Sequence, residues 1–205
     1  MVSGNTRSVE CVFYSHVWVV QMLEKLGVAR DEATVLVELA ETSTLAPVFG
    51  EQGKARHGLA GLLHPGGRLD KLAARLDGLP APLLLAPRPE VPATALCSAV
   101  GVLGSTPGVF RRAVLLVHVN DAPRFAAAYP QVDRFRVLWD LADIPTGALV
   151  RLAEVLVAQH CVSEERWGGF GLYEHPRRAV ADGAVRRAGF ETLLGEYPGL
   201  VGEAV

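Results

Sequence analysis

The stretch VFRRAVLLVHV, residues 109–119, is the most hydrophobic segment of this 205-residue chain, and the interpretation of the fold depends on it. After its two arginines the segment is apolar on all sides. Such a segment is either a central buried helix or a buried strand, and periodicity alone does not decide between them. We therefore predict its conformation from the segments on either side of it.

The neighbouring segments favour helices. Residues 8–26 carry apolar side chains at spacings of three and four, although their β-branched residues leave a strand open for part of the run. Further helices are predicted, with their usual start and stop signals, at 32–46, 59–63, 68–78, 93–103, 147–162, 176–188 and 190–196. Residues 79–92 carry five prolines and are predicted to form an extended surface insertion, with a short strand left open at Leu83–Leu85. If 109–128 is the buried helix, the chain is all-α, with a central hydrophobic helical hairpin.

Composition sets limits on the partners and on the compartment. Lys and Arg together number 20 and Asp and Glu 22, which gives no electrostatic case for nucleic acid binding. Cys11, Cys97 and Cys161 lie far apart in apolar runs, so we predict buried free thiols rather than a disulfide framework or a zinc site. No run reaches the roughly 18–20 apolar residues that span a bilayer, and no transmembrane anchor is predicted. The length favours a single domain over 1–205 that ends in a tail at 197–205.

Motifs that carry enzymatic chemistry are missing from the sequence. There is no GxSxG, HExxH, GxGxxG or Walker-type phosphate-binding loop, and the six histidines do not cluster at metal-ligand spacing. We therefore predict that the chain is not an enzyme and holds no cofactor and no metal.

Two short motifs point instead to a protein-binding family. GVFRR, residues 108–112, leads into the apolar segment, and ERWGGF, residues 165–170, follows the long amphipathic helix predicted at 147–162. In this order and spacing they resemble the first and second homology regions of the Bcl-2 family of apoptosis regulators. The helix predicted at 32–46 fits the third region through Val35, Leu39 and Glu41. Strong divergence and the missing membrane tail resemble a viral, herpesvirus-type homologue.

The resemblance implies an inhibitor of apoptosis that sequesters pro-apoptotic BH3 helices in a hydrophobic surface groove. The expected partners are BH3-containing proteins and executioners similar to Bax and Bak, met in the host-cell cytoplasm or peripherally at mitochondria. Arg112 would pair with an aspartate of the ligand helix. The groove residues that the resemblance implies are Val109, Phe110, Arg111, Arg112, Leu116, Trp167 and Phe170.

Two alternatives stay open at this stage. Arg111 stands where the family has glycine, so the chain could be a degenerate homologue that lacks groove binding or antagonises other survival proteins. The other alternative is an unrelated α/β enzyme, in which residues 81–86, 113–119 and 135–139 are strands. A circular dichroism spectrum separates the all-α and α/β interpretations.

Overall fold

The protein is built on a six-stranded sheet, as the computed structural model shows. The structure describes residues 7–25, 27–28, 33–49, 58–75, 81–86, 91–106, 109–143, 147–173 and 188. The strands are β1 (Ser8–Tyr14), β2 (Thr34–Glu38), β3 (Leu83–Leu84), β4 (Arg112–His118), β5 (Arg134–Asp140) and β6 (Trp167–Tyr173). They lie in the order β3-β2-β4-β1-β5-β6, and each neighbouring pair is parallel.

Helical segments cover the two faces of the sheet. They are α1 (Val19–Lys25), α2 (Ala46–Phe49), α3 (Leu69–Leu72), α4 (Ala93–Leu103) and α5 (Gly147–Ala158), with 3-10 segments at Leu59–Leu63 and Val119–Gln131. The apolar residues of α4, α5 and both 3-10 segments belong to the hydrophobic core on one face. Those of α1 and α2 belong to the core on the other face. The described helices therefore form a layer on each face of the sheet, as in a layered α/β structure, and the carboxyl ends of the strands lie along one edge of the sheet.

The central strands β1 and β4 are mostly apolar because both of their faces are buried. In β1, Cys11 and Phe13 lie in the core beneath α4 and α5, whereas Val12 and Tyr14 lie in the core beneath α1. A strand enclosed in this way shows a continuous apolar run instead of the alternation of a half-exposed strand. The same explanation holds for β4, of which the five middle residues are all buried.

The all-α prediction is wrong, and the error begins at the apolar segment 109–119. Residues 112–118 form the inner strand β4 and not a central helix, and the resemblance to the Bcl-2 family is lost with the helical hairpin. The helix predicted at 8–26 is β1 followed by the short α1, and the one predicted at 32–46 contains β2. All three segments contain strands that are buried on both faces. The periodicity of apolar residues does not distinguish such a strand from a buried helix.

The α/β alternative located three of the six strands. Its segments 81–86, 113–119 and 135–139 contain β3, most of β4 and most of β5. The predicted helix at 93–103 is confirmed as α4, and the one at 147–162 is confirmed in shorter form as α5.

The remaining local predictions have mixed outcomes. The predicted helical segment at 59–63 is a 3-10 turn, and only 69–72 of the predicted helix 68–78 is helical among the residues described there. The described leucines of the Pro-rich stretch 79–92 are buried in and beside β3, not spread over the surface. The predicted C-terminal helices and the tail lie outside the described residues, apart from residue 188. No helix in the described part of the chain is long and apolar enough to cross a membrane.

Candidate functional site

A crevice lies at the carboxyl edge of the sheet, between the ends of β1 and β4. These strands are neighbours, but the connection after β1 runs through α1 on one face of the sheet, and the connection after β4 runs through the 3-10 segment Val119–Gln131 on the other face. The connections after the two strands therefore diverge and leave an opening between them. Open α/β sheets bind their ligands at such a switch point.

The crevice has a volume of about 430 Å³. Its lining residues come from the ends of β1, β4 and β5 and from the start of α5, namely Ser15, His118, Val119, Asn120, Trp139, Ala142, Asp143 and Ala148. A volume of this size lies within the range of small-molecule sites, and the lining combines apolar walls with a few polar groups. The carboxyl-edge crevice is accordingly the candidate site.

Hydrogen bonds hold several of the polar lining groups in place. The backbone N–H of Asp140 donates to Oγ of Ser15 at 2.9 Å, and that of Asn120 donates to Nδ1 of His118 at 3.3 Å. The indole N–H of Trp139 donates to the carbonyl of Asp143 at 3.0 Å. Ser15 and His118 therefore accept bonds from the protein and each keep a proton to offer to a ligand.

A buried tyrosine supports the His118 ring from behind. Tyr14 meets the His118 ring edge to face, with 5.4 Å between the ring centroids. Its hydroxyl is 2.6 Å from Oγ1 of Thr44. Burial, with a smaller contribution from the Glu38 charge, raises the pKa of Tyr14 far above its ordinary value, so the phenol keeps its proton.

Glu38, the last residue of β2, fixes the loop beside the crevice. Its side chain is buried, and its carboxylate accepts five hydrogen bonds. The donors are Oγ of Ser43 at 2.5 Å, N–H of Thr44 at 2.7 Å, Oγ1 of Thr44 at 3.2 Å, N–H of Leu45 at 2.9 Å and N–H of Ala86 at 2.9 Å. A carboxylate with this many donors offsets the cost of its burial and joins the end of β3 to the loop after β2.

The loop between β1 and α1 is unlike a phosphate-binding loop. It consists of Ser15-His16-Val17-Trp18 and contains neither glycine nor lysine. A P-loop needs glycines so that its backbone N–H groups surround the phosphates, and it needs a lysine to reach the terminal phosphates. This loop can provide neither contact. In the described part of the chain, no group of three or more His, Cys, Asp or Glu side chains could hold a metal ion.

The residues predicted from the family resemblance are divided among separate places. Val109, Phe110 and Arg111 precede β4 and line a second cavity, of about 520 Å³, at the opposite, amino edge of the sheet. Arg112, at the start of β4, forms an ion pair with the buried carboxylate of Glu10.

The other three predicted residues lie elsewhere again. Leu116 is fully buried in the core beneath α1. Trp167 and Phe170 belong to β6 at the far edge of the sheet. The structure therefore does not bring the seven residues into one helical groove, and ligand contact by any of them stays a prediction.

The sequence interpretation missed Ser15, His118 and Asn120. Ser15 directly follows the apolar run Val12-Phe13-Tyr14, His118 directly follows Leu115-Leu116-Val117, and Asn120 comes two residues after His118; polar residues at these points mark the carboxyl ends of strands. The signal was present, but it has this meaning only if the runs are parallel strands.

Solved structures with this fold include ATPases of the ParA and MinD type. The chain is similar to a ParA family ATPase from Chlorobium tepidum, with a TM-score of 0.59 and 10% identity over 92% of this chain and 81% of that one. It is similar to a MinC:MinD cell division protein complex from Aquifex aeolicus, with a TM-score of 0.58 and 12% identity over 91% and 76%. A third similar structure is a variant of Cyanothece McdA in complex with ATP, with a TM-score of 0.56 and 12% identity over 93% and 81%. No protein-family model and no curated protein matches the sequence.

These similarities correct the expectations that followed from the Bcl-2 resemblance. At 10–12% identity they show the fold alone, which is α/β and not a helical bundle. Nothing among them supports an inhibitor of apoptosis or partners such as BH3 proteins, Bax or Bak. The enzymes among these neighbours contradict the prediction that the chain is not an enzyme. The predicted cytoplasmic location is untested and stays a prediction.

Proposed function

We propose that this chain binds a nucleotide-type ligand in the carboxyl-edge crevice. The observation that carries the proposal is the position of the crevice at the ends of β1 and β4, where the following connections diverge. Its volume of about 430 Å³ suits a ligand of nucleoside size. Adenine nucleotides are the first to be tested, because one protein of similar fold is in complex with ATP.

The mode of binding has to differ from that of a P-loop enzyme. Ser15-His16-Val17-Trp18 has no glycine amides to surround a phosphate chain and no lysine to neutralise it. The walls of the crevice, which include Trp139 and Ala148, and the donors Ser15 and His118 supply the contacts instead. Base and sugar therefore contribute more of the affinity than the phosphates do.

Calorimetric titration with adenosine, ADP and Mg-ATP tests the proposal. We expect dissociation constants for adenosine and ATP within about tenfold of each other, a difference of about 1.4 kcal/mol, because the chain lacks the contacts that favour the triphosphate. Ala148→Leu places extra volume in the crevice and should weaken adenosine binding at least about tenfold. Ala158→Leu, the same change at the exposed end of α5, is the matched control and should leave binding unchanged.

Phosphate release from ATP in the same samples tests for turnover. We expect slow hydrolysis, since the developing charge on the phosphates meets no loop lysine. Binding of ATP more than about a hundredfold tighter than adenosine, or no binding of any of the three compounds, would contradict the proposal.

A further inference from the structure

We infer that His118 donates a hydrogen bond from Nε2 to an acceptor atom of the crevice ligand. Three residues behind it, Tyr14, Thr44 and Glu38, act as positioning residues that hold its ring for this contact. The inference rests on the proposed function, because it assigns a role to a residue that lines the crevice.

The tautomer of His118 follows from its backbone contact. The N–H of Asn120 donates to Nδ1 at 3.3 Å, so Nδ1 acts as the acceptor and carries no proton in the neutral ring. The proton of the neutral imidazole then lies on Nε2. No described residue of the protein accepts a hydrogen bond from Nε2, which leaves this donor available to a ligand in the crevice.

A series of contacts that begins at Glu38 fixes the orientation of the His118 ring, and each hydrogen bond in it has a defined donor. A carboxylate only accepts hydrogen bonds, so the Thr44 hydroxyl donates its one proton to the Glu38 carboxylate, at 3.2 Å. The Tyr14 hydroxyl therefore donates to Oγ1 of Thr44, at 2.6 Å. The anchored Tyr14 ring then packs edge to face on His118, with 5.4 Å between the centroids.

The crevice offers a second donor of the same kind. Oγ of Ser15 already accepts from the N–H of Asp140, at 2.9 Å, and its hydroxyl proton is left to donate. Two donors from the ends of adjacent strands select a ligand with hydrogen-bond acceptors. Phosphate oxygens, purine ring nitrogens and ribose oxygens all accept hydrogen bonds. Separate probes distinguish the phosphate from the nucleoside.

Long-range ¹H–¹⁵N NMR of the histidine side chains tests the inference directly. At about pH 8, where an ordinary imidazole is neutral, we expect His118 to show the Nε2–H tautomer alone, without averaging. The exposed His160, whose hydrogen bonds are made by its backbone, serves as the internal control and should show averaged tautomers. An averaged His118 signal, or a proton on Nδ1, overturns the inference. This measurement needs no ligand, so its result does not depend on the proposed function.

Titration with adenosine and, separately, with inorganic triphosphate tests the ligand contact. We expect the Nε2 signal of His118 to shift with saturation by one probe, and the probe that moves it identifies the source of the acceptor. Binding of either probe without any change at Nε2 overturns the contact. If neither probe binds, the proposed function fails, and the tautomer measurement alone decides on the positioning network.

Variants of Tyr14 separate positioning from a merely structural role. Tyr14→Leu removes the aromatic ring that packs on His118, and we expect averaging of the His118 tautomers and about a threefold to tenfold loss of affinity for the active probe. Tyr14→Phe restores the ring contact without the hydroxyl and should give an intermediate spectrum. Folding of both variants is checked by circular dichroism. A folded Tyr14→Leu variant with an unaltered His118 spectrum contradicts the positioning role.

Discussion

A buried carboxylate at the end of β2 organises the loop beside the crevice. Glu38 is 1% exposed, and its two oxygens face backbone N–H groups and hydroxyls from the loop after β2 and from the end of β3. An acceptor without a proton is the only group of this shape that satisfies all of those donors. The identity of this one side chain therefore decides the local backbone path.

Glu38→Gln should destabilise the protein by about 3 kcal/mol, within the range for a broken buried hydrogen-bond network. The side-chain NH2 of glutamine must face at least one of the N–H groups of Thr44, Leu45 and Ala86, so a donor opposes a donor in a buried site. Urea unfolding followed by circular dichroism measures the change.

Glu154→Gln makes the same substitution on the exposed face of α5 and should change the free energy of unfolding by less than about 0.5 kcal/mol. Equal stabilities for the two variants would show that the five contacts of Glu38 contribute little.

At the scale of an element, α4 is held at both ends by charged side chains from other parts of the chain. Its N-cap is Pro92, which offers no side-chain hydrogen bond, and Glu41 accepts from the N–H of Ala93 at 3.0 Å instead. At the other end the buried Arg7 donates to the carbonyl of Leu103 at 2.7 Å. An acid at the amino end and a base at the carboxyl end complement the helix dipole.

Arg7→Met should lower the free energy of unfolding by about 2 kcal/mol. The methionine keeps much of the buried aliphatic stem, but the carbonyls of Leu103 and Phe110 lose their side-chain donor. Burial of the guanidinium lowers the pKa of Arg7, so the charged side chain is buried at a free-energy cost. Methionine does not have this cost, which offsets part of the loss. The measurement is the urea midpoint of the variant against the wild type.

Arg151→Met on the exposed face of α5 provides the comparison and should shift the midpoint little. A larger effect at position 151 than at position 7 would mean that Arg7 does not secure the end of α4.

At the scale of the whole molecule, the core contains thiols and phenols that resist ionisation. Burial raises the pKa of Cys161 to about 11 and that of Cys11 well above its ordinary value. Burial also raises the pKa of Tyr129 far above the normal range, with a further contribution from the neighbouring thiols. These groups stay neutral in the folded protein at pH values where the unfolded chain ionises.

The protein should therefore lose stability in alkaline solution. An unfolded thiol ionises near pH 8.5, so the contribution of the raised thiol pKa values is complete below that pH and is lost as the pH rises toward 11. Each such group changes the free energy of unfolding by up to about 1.4 kcal/mol per pH unit in that window. Urea midpoints between pH 7 and pH 10.5 measure the slope.

The double variant Cys11→Ala, Cys161→Ala should show a shallower alkaline slope than the wild type, whatever its stability at neutral pH. Parallel slopes for the two proteins would exclude the thiols as the cause.

Several elements were predictable because local signals decide them. The helix 93–103 has no competing strand signal, and 147–162 has the apolar spacing of an amphipathic helix, so both predictions located a real helix. The runs that contain β1, β2 and β4 were not predictable in this way, because their residues are buried on both faces. Their lengths of five to seven residues favour strands over helices, and that signal was outweighed by a family resemblance built on short motifs.

The sequence by itself determined that the apolar runs containing β1, β2 and β4 are buried, where α4 and α5 lie, and that the chain lacks a Walker-type phosphate-binding loop, since these properties depend on neighbouring residues alone. Only the tertiary structure decided that the apolar runs are parallel strands and that Ser15 and His118 lie at one crevice. The reason is that strand pairing and the divergence of the connections join residues about a hundred positions apart, and no local pattern records such a separation.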